Sequence, residues 1–429
     1  PMRYADFIAA KKARVPKAGG DISGLHPFLW PWQAEIVTWA ARVGRAAIWA
    51  DTGLGKTVMQ IEWLKHMTGS GIGIIAAPLA VCRQTEREAA KVGAVVRYVR
   101  EMPTEPGLYV TNYEMLTGFD SAAVTAFVLD EASILKNSNG ATRNALIAWA
   151  EPIPYRLACT ATPAPNDPEE LTNYAEFLGH MSRTHMLAAY YVHDAEGWRL
   201  KGHGRRPMYQ WMATWAVAIR KPSDMGGDDT GYDLPGLNII PQVVHVEMDS
   251  GDQLFATDLG GVGGRAKIRK KTMAARVERA AQVINAEPDE PWLIWCGLND
   301  EADAIAKATG AVNVHGSMSP GDKADALLGF ADGSIQRLVT KPGIASQGLN
   351  YQHCARMVFV GMSDSYEQYY QAIRRCYRYG QTRVVEAHIV LSEIEGQIAA
   401  NIARKEREAS TITSALVAEM QRARAEEAS

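Results

Sequence analysis

The chain has 429 residues, 47% of them hydrophobic and 22% charged, enough for two large domains or about three of ordinary size. Its 37 Gly and 20 Pro exclude collagen-like and low-complexity classes. With 45 basic residues against 48 acidic ones and a net charge of −3, no global positive excess announces a nucleic-acid binder.

At the N-terminus, Pro1 before Met2 reads as the remnant of a cleaved tag, with Met2 the natural start. Arg3, Asp6, Lys11 and Lys12 surround a very short apolar stretch, which argues against a secretory signal. From Ala46 to about Val246, short apolar runs alternate with helical patterns. Ala46–Ala50, Ile72–Ala77, Ala126–Leu129 and Arg156–Cys159 are too short for helices and read as strands, with helices expected over Thr57–Met67 and Leu79–Val92. Continuous apolar strands of this kind belong to a parallel sheet covered on both faces. The run Gly71–Cys82 stops at Arg83, too short to span a bilayer, so no membrane partner is expected.

The Gly-rich stretch Gly260–Gly264 predicts an inter-domain connection. A second block of strands then follows at Trp292–Cys296, Ala311–Val314, Ile335–Thr340, Met357–Val360 and Val385–Leu391, with helices over Asp300–Thr309 and Tyr366–Tyr379. The tail from Glu393 to Ser429 has a single Gly and no Pro, and reads as a helix packed back on a domain. The expected layout is an N-terminal lobe over 1–245 with a basic, hairpin-like insertion near 180–225. A connection over 246–280 follows, then a C-terminal lobe with helical tail over 281–429. Five cysteines (82, 159, 296, 354, 376) make no C-x-x-C pair, a pattern that fits a reducing, cytoplasmic setting.

Four motifs carry chemistry. Ala50-Asp51-Thr52-Gly53-Leu54-Gly55-Lys56-Thr57 lies between a strand and a helix. There a Gly-rich loop brings backbone N–H groups of residues such as Thr52, Gly53 and Gly55 to phosphate oxygens. Lys56 would reach the β- and γ-phosphates, and the Thr57 hydroxyl would ligate magnesium. The strand ending Phe127-Val128-Leu129-Asp130-Glu131 sets two carboxylates at the carboxyl edge of a sheet, where such folds bind ligands. Asp130 is the candidate magnesium ligand and Glu131 the group that polarises the attacking water. Thr160-Ala161-Thr162-Pro163 has two readings, a relay of nucleotide state or a capping turn. Finally, Gln371, Arg375 and Arg378 fall at helical spacing on one face. Such guanidinium groups can stabilise charge on a transferring phosphoryl group, or simply form a basic surface.

In this order and spacing the motifs resemble the superfamily-two helicases, and more closely the Swi/Snf-type DNA translocases. Leu29-Trp30-Pro31-Trp32-Gln33 resembles the element whose Gln recognises adenine, with Trp32 in place of Tyr. Thr111-Asn112-Tyr113-Glu114, Arg220-Lys221-Pro222-Ser223-Asp224 and Thr340-Lys341-Pro342-Gly343 through Gly348-Leu349-Asn350 are similar to further family motifs. Gln371 to Gln381 matches Q-A-x-x-R-x-x-R-x-G-Q at every fixed position. The resemblance implies an α/β protein of two RecA-like parallel-sheet lobes in tandem, with ATP in a cleft between them. It further implies a magnesium-dependent, nucleic-acid-stimulated ATPase of a compact phage or bacterial form.

Duplex DNA is the expected partner, gripped through its backbone without sequence preference. The candidate contacts are Pro78, Thr111 and Thr340 at strand and helix ends, with Arg205, Arg206, Arg269, Lys270 and Lys271 in two basic stretches. Two alternatives stand beside this reading: a strand-separating helicase on DNA or RNA, with an aromatic hairpin in Tyr190–Tyr209 as its wedge, and a nucleotide-dependent switch with little turnover. The oligomeric state is left open, a monomer being one option.

Overall fold

The short apolar runs do become strands, because residues buried on both faces of a sheet need no polar alternation. The computed structural model describes residues 18–136, 140–194, 197–246, 270–344, 350–361, 365–393 and 396–427. Its elements divide into two compact units, one of residues 1–230 and 405–429, the other of residues 231–404.

In the first unit the elements run α1 (Pro31–Val43), β1 (Arg45–Ala50), α2 (Lys56–Thr68), β2 (Ile72–Ala77), α3 (Leu79–Ala89), β3 (Val96–Tyr98), β4 (Gly107–Asn112) and β5 (Val124–Leu129). They continue with α4 (Ala141–Ala150), β6 (Tyr155–Cys159), α5 (Leu171–Phe177), α6 (Arg183–Tyr190), β7 (Tyr191–Asp194), β8 (Gly197–Leu200), α7 (Arg205–Met212) and β9 (Ala216–Ile219). Among the described residues the sheet has the order β3-β4-β2-β5-β6-β1-β9, every pair parallel. The central strands β2, β5 and β6 are almost wholly buried, and Trp49 on β1 sits in an aromatic core with Tyr174 and Trp215. Beside this sheet, β7 and β8 form a separate antiparallel hairpin, Tyr191 opposite Leu200 and His193 opposite Trp198.

The second unit holds β10 (Leu237–Val244), α8 (Met273–Ala286), β11 (Trp292–Trp295), α9 (Asn299–Thr309), β12 (Val312–Asn313), α10 (Pro320–Ala331), β13 (Arg337–Thr340), β14 (Arg356–Phe359), α11 (Tyr366–Ile373) and β15 (Val385–Ser392). The long helix α12 (Gly396–Glu427) follows. The described strands are again all parallel, in the order β10-β15-β14-β11-β13-β12. Trp292, Ile294, Val339, Val358 and Val390 pack against Ala280, Ile284 and Ile305 of α8 and α9. The fold class is therefore α/β, two parallel-sheet lobes in tandem.

Three features depart from the sequence reading. The first boundary falls earlier than 245, because β10 pairs along its whole length with β15, Leu237 with Val385 through Val244 with Ser392. The tail does not remain with the C-terminal lobe: from Lys405 onward α12 belongs to the first unit. There Lys405 donates to Asn166 Oδ1 at 3.1 Å, and Ser414 accepts from Arg220 at 2.9 Å, while Ile412, Leu416 and Val417 are buried. Third, the helix expected to reach Tyr379 stops at Ile373. The Arg375 carbonyl turns away to accept from Tyr351 N–H at 2.9 Å, and Gln381 Nε2 takes the Cys376 carbonyl at 3.2 Å, so competing donors capture the acceptors that the next turn would need. The Gly260–Gly264 connection, Arg269 and the Ala345–Leu349 part of the Gly-Leu-Asn motif lie outside the described residues.

Candidate active site

The phosphate loop is built by β1 ending at Ala50 and α2 starting at Lys56. Between them Gly53 (φ 86°) and Gly55 (φ 74°) adopt left-handed backbone, which a side chain would strain. Lys56 Nζ donates to the Ala50 carbonyl at 2.7 Å and approaches that of Asp51 at 3.4 Å. The Asp51 carboxylate takes the Thr52 N–H at 2.6 Å. The half-buried Thr57 follows on the first turn of α2.

Asp130 and Glu131 follow directly on β5, whose neighbours are β2 and β6. Asp130 is buried, and burial pushes its carboxyl above the ordinary carboxylate range, against hydrogen bonding by Gln60 and the nearby Lys56 charge. Gln60 Nε2 donates to Asp130 Oδ1 at 2.6 Å, and Tyr113 OH donates to the Asp130 carbonyl at 2.7 Å. Glu131 has φ 45°, the one positive φ outside glycine among the described residues. Strain of this kind persists where surroundings impose it and gathers at functional sites. On the adjoining strand, Thr160 Oγ1 accepts from Thr162 N–H at 3.1 Å, a local capping turn, while the buried Thr162 hydroxyl has no partner among the described residues.

This donor set fits a magnesium nucleotide. A buried carboxylate that burial disfavours, an ammonium within its field, a threonine hydroxyl and a glycine-rich helix N-terminus together suit a divalent cation and a chain of phosphates. Gln60 escaped the sequence reading, although it stands three residues after Thr57 and so near the same helix face. Gln33 is placed otherwise than a free base reader: its amide is buried and bonded to Trp30 and Leu54.

In the second unit Gln371 lies on α11, whereas Arg375 and Arg378 lie past its end, so the three do not share a helical face. Arg374 stacks over Tyr370 and Tyr377. The half-buried Arg378 guanidinium has no hydrogen-bond or ion-pair partner among the described residues. Burial, with Arg375 and Arg374 close by, brings its pKa down to about 10. The guanidinium groups of Arg374, Arg375 and Arg378 thus lie near one another in the second unit.

The expected nucleic-acid contacts separate into two groups. Arg205, Arg206, Lys270 and Lys271 are exposed, and Pro78 caps the N-terminus of α3. Thr111 and Thr340 are fully buried, and Thr111 Oγ1 donates inward to the Val99 carbonyl at 2.7 Å, so neither threonine side chain offers a surface contact. Arg276, five residues beyond the basic Arg269-Lys270-Lys271, is structural, buried against Glu301.

Residues 275–380 match the family model of the helicase conserved C-terminal domain. No curated protein matches the chain. Among solved structures, the Sulfolobus solfataricus SWI2/SNF2 ATPase core in complex with dsDNA is similar at 18% identity and TM-score 0.42, over 94% of this chain and 96% of that one. The SWI2/SNF2 ATPase core domain of the same organism is similar at 18% identity and TM-score 0.42, over 90% of this chain and 93% of that one. The matched helicase C-terminal domain thus falls within the second unit and follows the unit that carries the phosphate loop.

Proposed function

We propose that this protein is an ATP-driven nucleic-acid motor, a translocase on double-stranded DNA that moves along the duplex without fully separating its strands. The observation that carries the reading is the division of hydrolytic groups. Lys56, Asp130 and Glu131 gather at the carboxyl edge of the first sheet, and Arg378, whose guanidinium has no partner among the described residues, stands in the second unit.

In this reading the loop N–H groups and Lys56 bind the triphosphate. Magnesium, held by Thr57 and Asp130, would neutralise phosphate charge. Gln60, which donates to Asp130 Oδ1, would hold that carboxylate in place. Glu131 orients the attacking water and accepts its proton. Arg375 and Arg378 supply positive charge to the transferring phosphoryl group, an effect worth on the order of 10³–10⁵ in rate. The track is held through phosphates by Arg205, Arg206, Lys270 and Lys271, so binding is insensitive to sequence and weakens with salt.

The β7–β8 hairpin favours a second reading. Trp198 stands exposed opposite His193, their rings 4.9 Å apart, an aromatic surface of the kind that stacks on unpaired bases. The deciding experiment measures ATP turnover against duplex and single-stranded DNA and RNA, with strand displacement beside triplex displacement. Duplex-stimulated turnover with triplex displacement alone supports the translocase. Strand displacement supports the helicase. No turnover with any nucleic acid leaves a nucleotide switch.

A further inference from the structure

Tyr113, in the stretch Thr111-Asn112-Tyr113-Glu114, has no part in the hydrolytic or track-binding roles given above. Asn112 ends β4, and Tyr113 opens a short 3-10 turn over Tyr113–Gly118. In the sheet β2 lies between β4 and β5, with Thr111, Ala76 and Leu129 level across the three strands. The Tyr113 hydroxyl reaches past the end of β2 and donates to the Asp130 carbonyl at 2.7 Å. The start of the turn is itself braced, because Asn112 accepts from Tyr98 OH at 3.1 Å and donates to Glu114 Oε2.

Asp130 is thus held at both main-chain groups, its N–H on the Ala76 carbonyl at 2.9 Å and its carbonyl on Tyr113. The peptide unit is planar, so fixing the Asp130 carbonyl also fixes the Glu131 N–H in the same plane. On the far side the Glu131 carbonyl accepts from Ile134 N–H at 3.1 Å. With the planes before and after it both tied, Glu131 keeps φ 45°, a conformation that persists only where surroundings over-determine it. Released from one tie, the backbone would relax toward negative φ, and the Glu131 side chain would swing with it.

We infer, on the nucleotide-hydrolysing reading above, that Tyr113 is a positioning residue for hydrolysis: its hydroxyl holds the peptide between Asp130 and Glu131 and so aims the Glu131 carboxylate. In that reading the two carboxylates serve the cation and the water, and the peptide that joins them sets their relative direction. Nucleotide binding draws instead on the phosphate loop, whose glycine turns and Lys56 contacts do not pass through Tyr113. Loss of the hydroxyl should therefore fall on the chemical step and spare binding.

The test compares wild type with Tyr113→Phe, which removes the donor and keeps the ring. The control is Tyr109→Phe, which removes a phenol bond to the Glu105 carbonyl at 3.0 Å, before the start of β4. ATP turnover with and without duplex DNA, fluorescent-ATP affinity and melting temperature are measured for each. Tyr113→Phe should lose about tenfold in kcat, the share of one hydrogen bond, with nucleotide affinity within about twofold of wild type. Tyr109→Phe should keep the wild-type kcat. Wild-type kcat in Tyr113→Phe, whatever its melting temperature, would reduce the residue to a structural contact and overturn the inference. So would a loss confined to nucleotide affinity, or an equal loss of kcat in Tyr109→Phe. A wild type that turns over no ATP under either condition overturns the hydrolase reading, and this inference with it.

Discussion

Replacing Glu301 by Ala should unfold the second unit at far milder conditions. The Glu301 carboxylate is fully buried and accepts three bonds, from Arg276 Nη2 at 2.7 Å and from the Gly297 and Leu298 N–H groups at 3.0 Å each. Arg276, also fully buried, spends its other donors on Thr272 Oγ1 and the Val360 carbonyl, and Gly361 lies so close that a Cβ there would meet Arg276 Nη1 at 2.7 Å. Removing the carboxylate strands a guanidinium in a dry site. Breaking a buried pair this way costs roughly 3–5 kcal/mol, and two orphaned capping N–H groups add about 1 kcal/mol each where water cannot enter. Glu301→Gln keeps an acceptor for the two N–H groups and should lose roughly half as much. The double variant Arg276→Met with Glu301→Leu leaves no buried charge and should recover most of the loss. The assay is urea unfolding read on the second unit's own transition, since two units need not melt in one step. If Glu301→Ala loses less than about 1 kcal/mol, or the double variant loses the sum of its singles, the pair does not hold the unit as argued.

Lys56→Ala should abolish ATP turnover, and Glu131→Gln should keep nucleotide affinity while losing turnover; wild-type hydrolysis by Glu131→Gln would refute its role as the group that receives the water proton. Arg378→Ala should slow single-turnover hydrolysis with DNA by about 10³-fold, whereas Arg374→Ala, whose guanidinium stacks on two tyrosines, should be mild; equal, small effects would reduce the cluster to a basic surface. Glu170 is buried and accepts from Asn166, and burial pushes its carboxyl up from 4.5 to about 7. A raised folded pKa gives stability that is complete below the unfolded value and is lost as pH rises through about 7. Glu170→Gln should therefore melt higher than wild type at about pH 8 and gain nothing at about pH 4, as calorimetry would show; a gain equal at both values would contradict the assignment.

Where chemistry is local the sequence was legible. Strand, glycine turn, Lys-Thr and helix are consecutive, so the phosphate loop and the strand-end carboxylates could be placed before any fold was known, and Ile72–Ala77 is bounded in the structure as its apolar run suggests. What failed depended on partners far away in the chain. Arg375 reads as helical by spacing, but its carbonyl is claimed by Tyr351, and no local pattern records that competition. Arg276 lies five residues beyond the basic Arg269-Lys270-Lys271, and only its bond to Glu301, 25 residues on, shows it to be structural. Gln60 is a neutral amide with no motif around it, and its tie to Asp130 spans 70 residues.

The return of α12 to the first unit also bears on how the protein is made. The first unit is discontinuous, drawn from residues 1–230 and 405–429, with the second unit threaded between as one unbroken stretch. A ribosome therefore releases all of the second unit before it supplies the helix that gives the first unit its buried Ile412, Leu416 and Val417. Until then the apolar positions that this helix covers stay open, which is when partly folded chains aggregate. Closing so long a loop costs little extra equilibrium stability, because loop entropy grows only as the logarithm of length, but it postpones completion of the unit. Nascent chains stalled before Lys405 should thus carry a folded second unit and an unfinished first one, leaving the unit with the glycine-rich loop as the last part of the chain to mature.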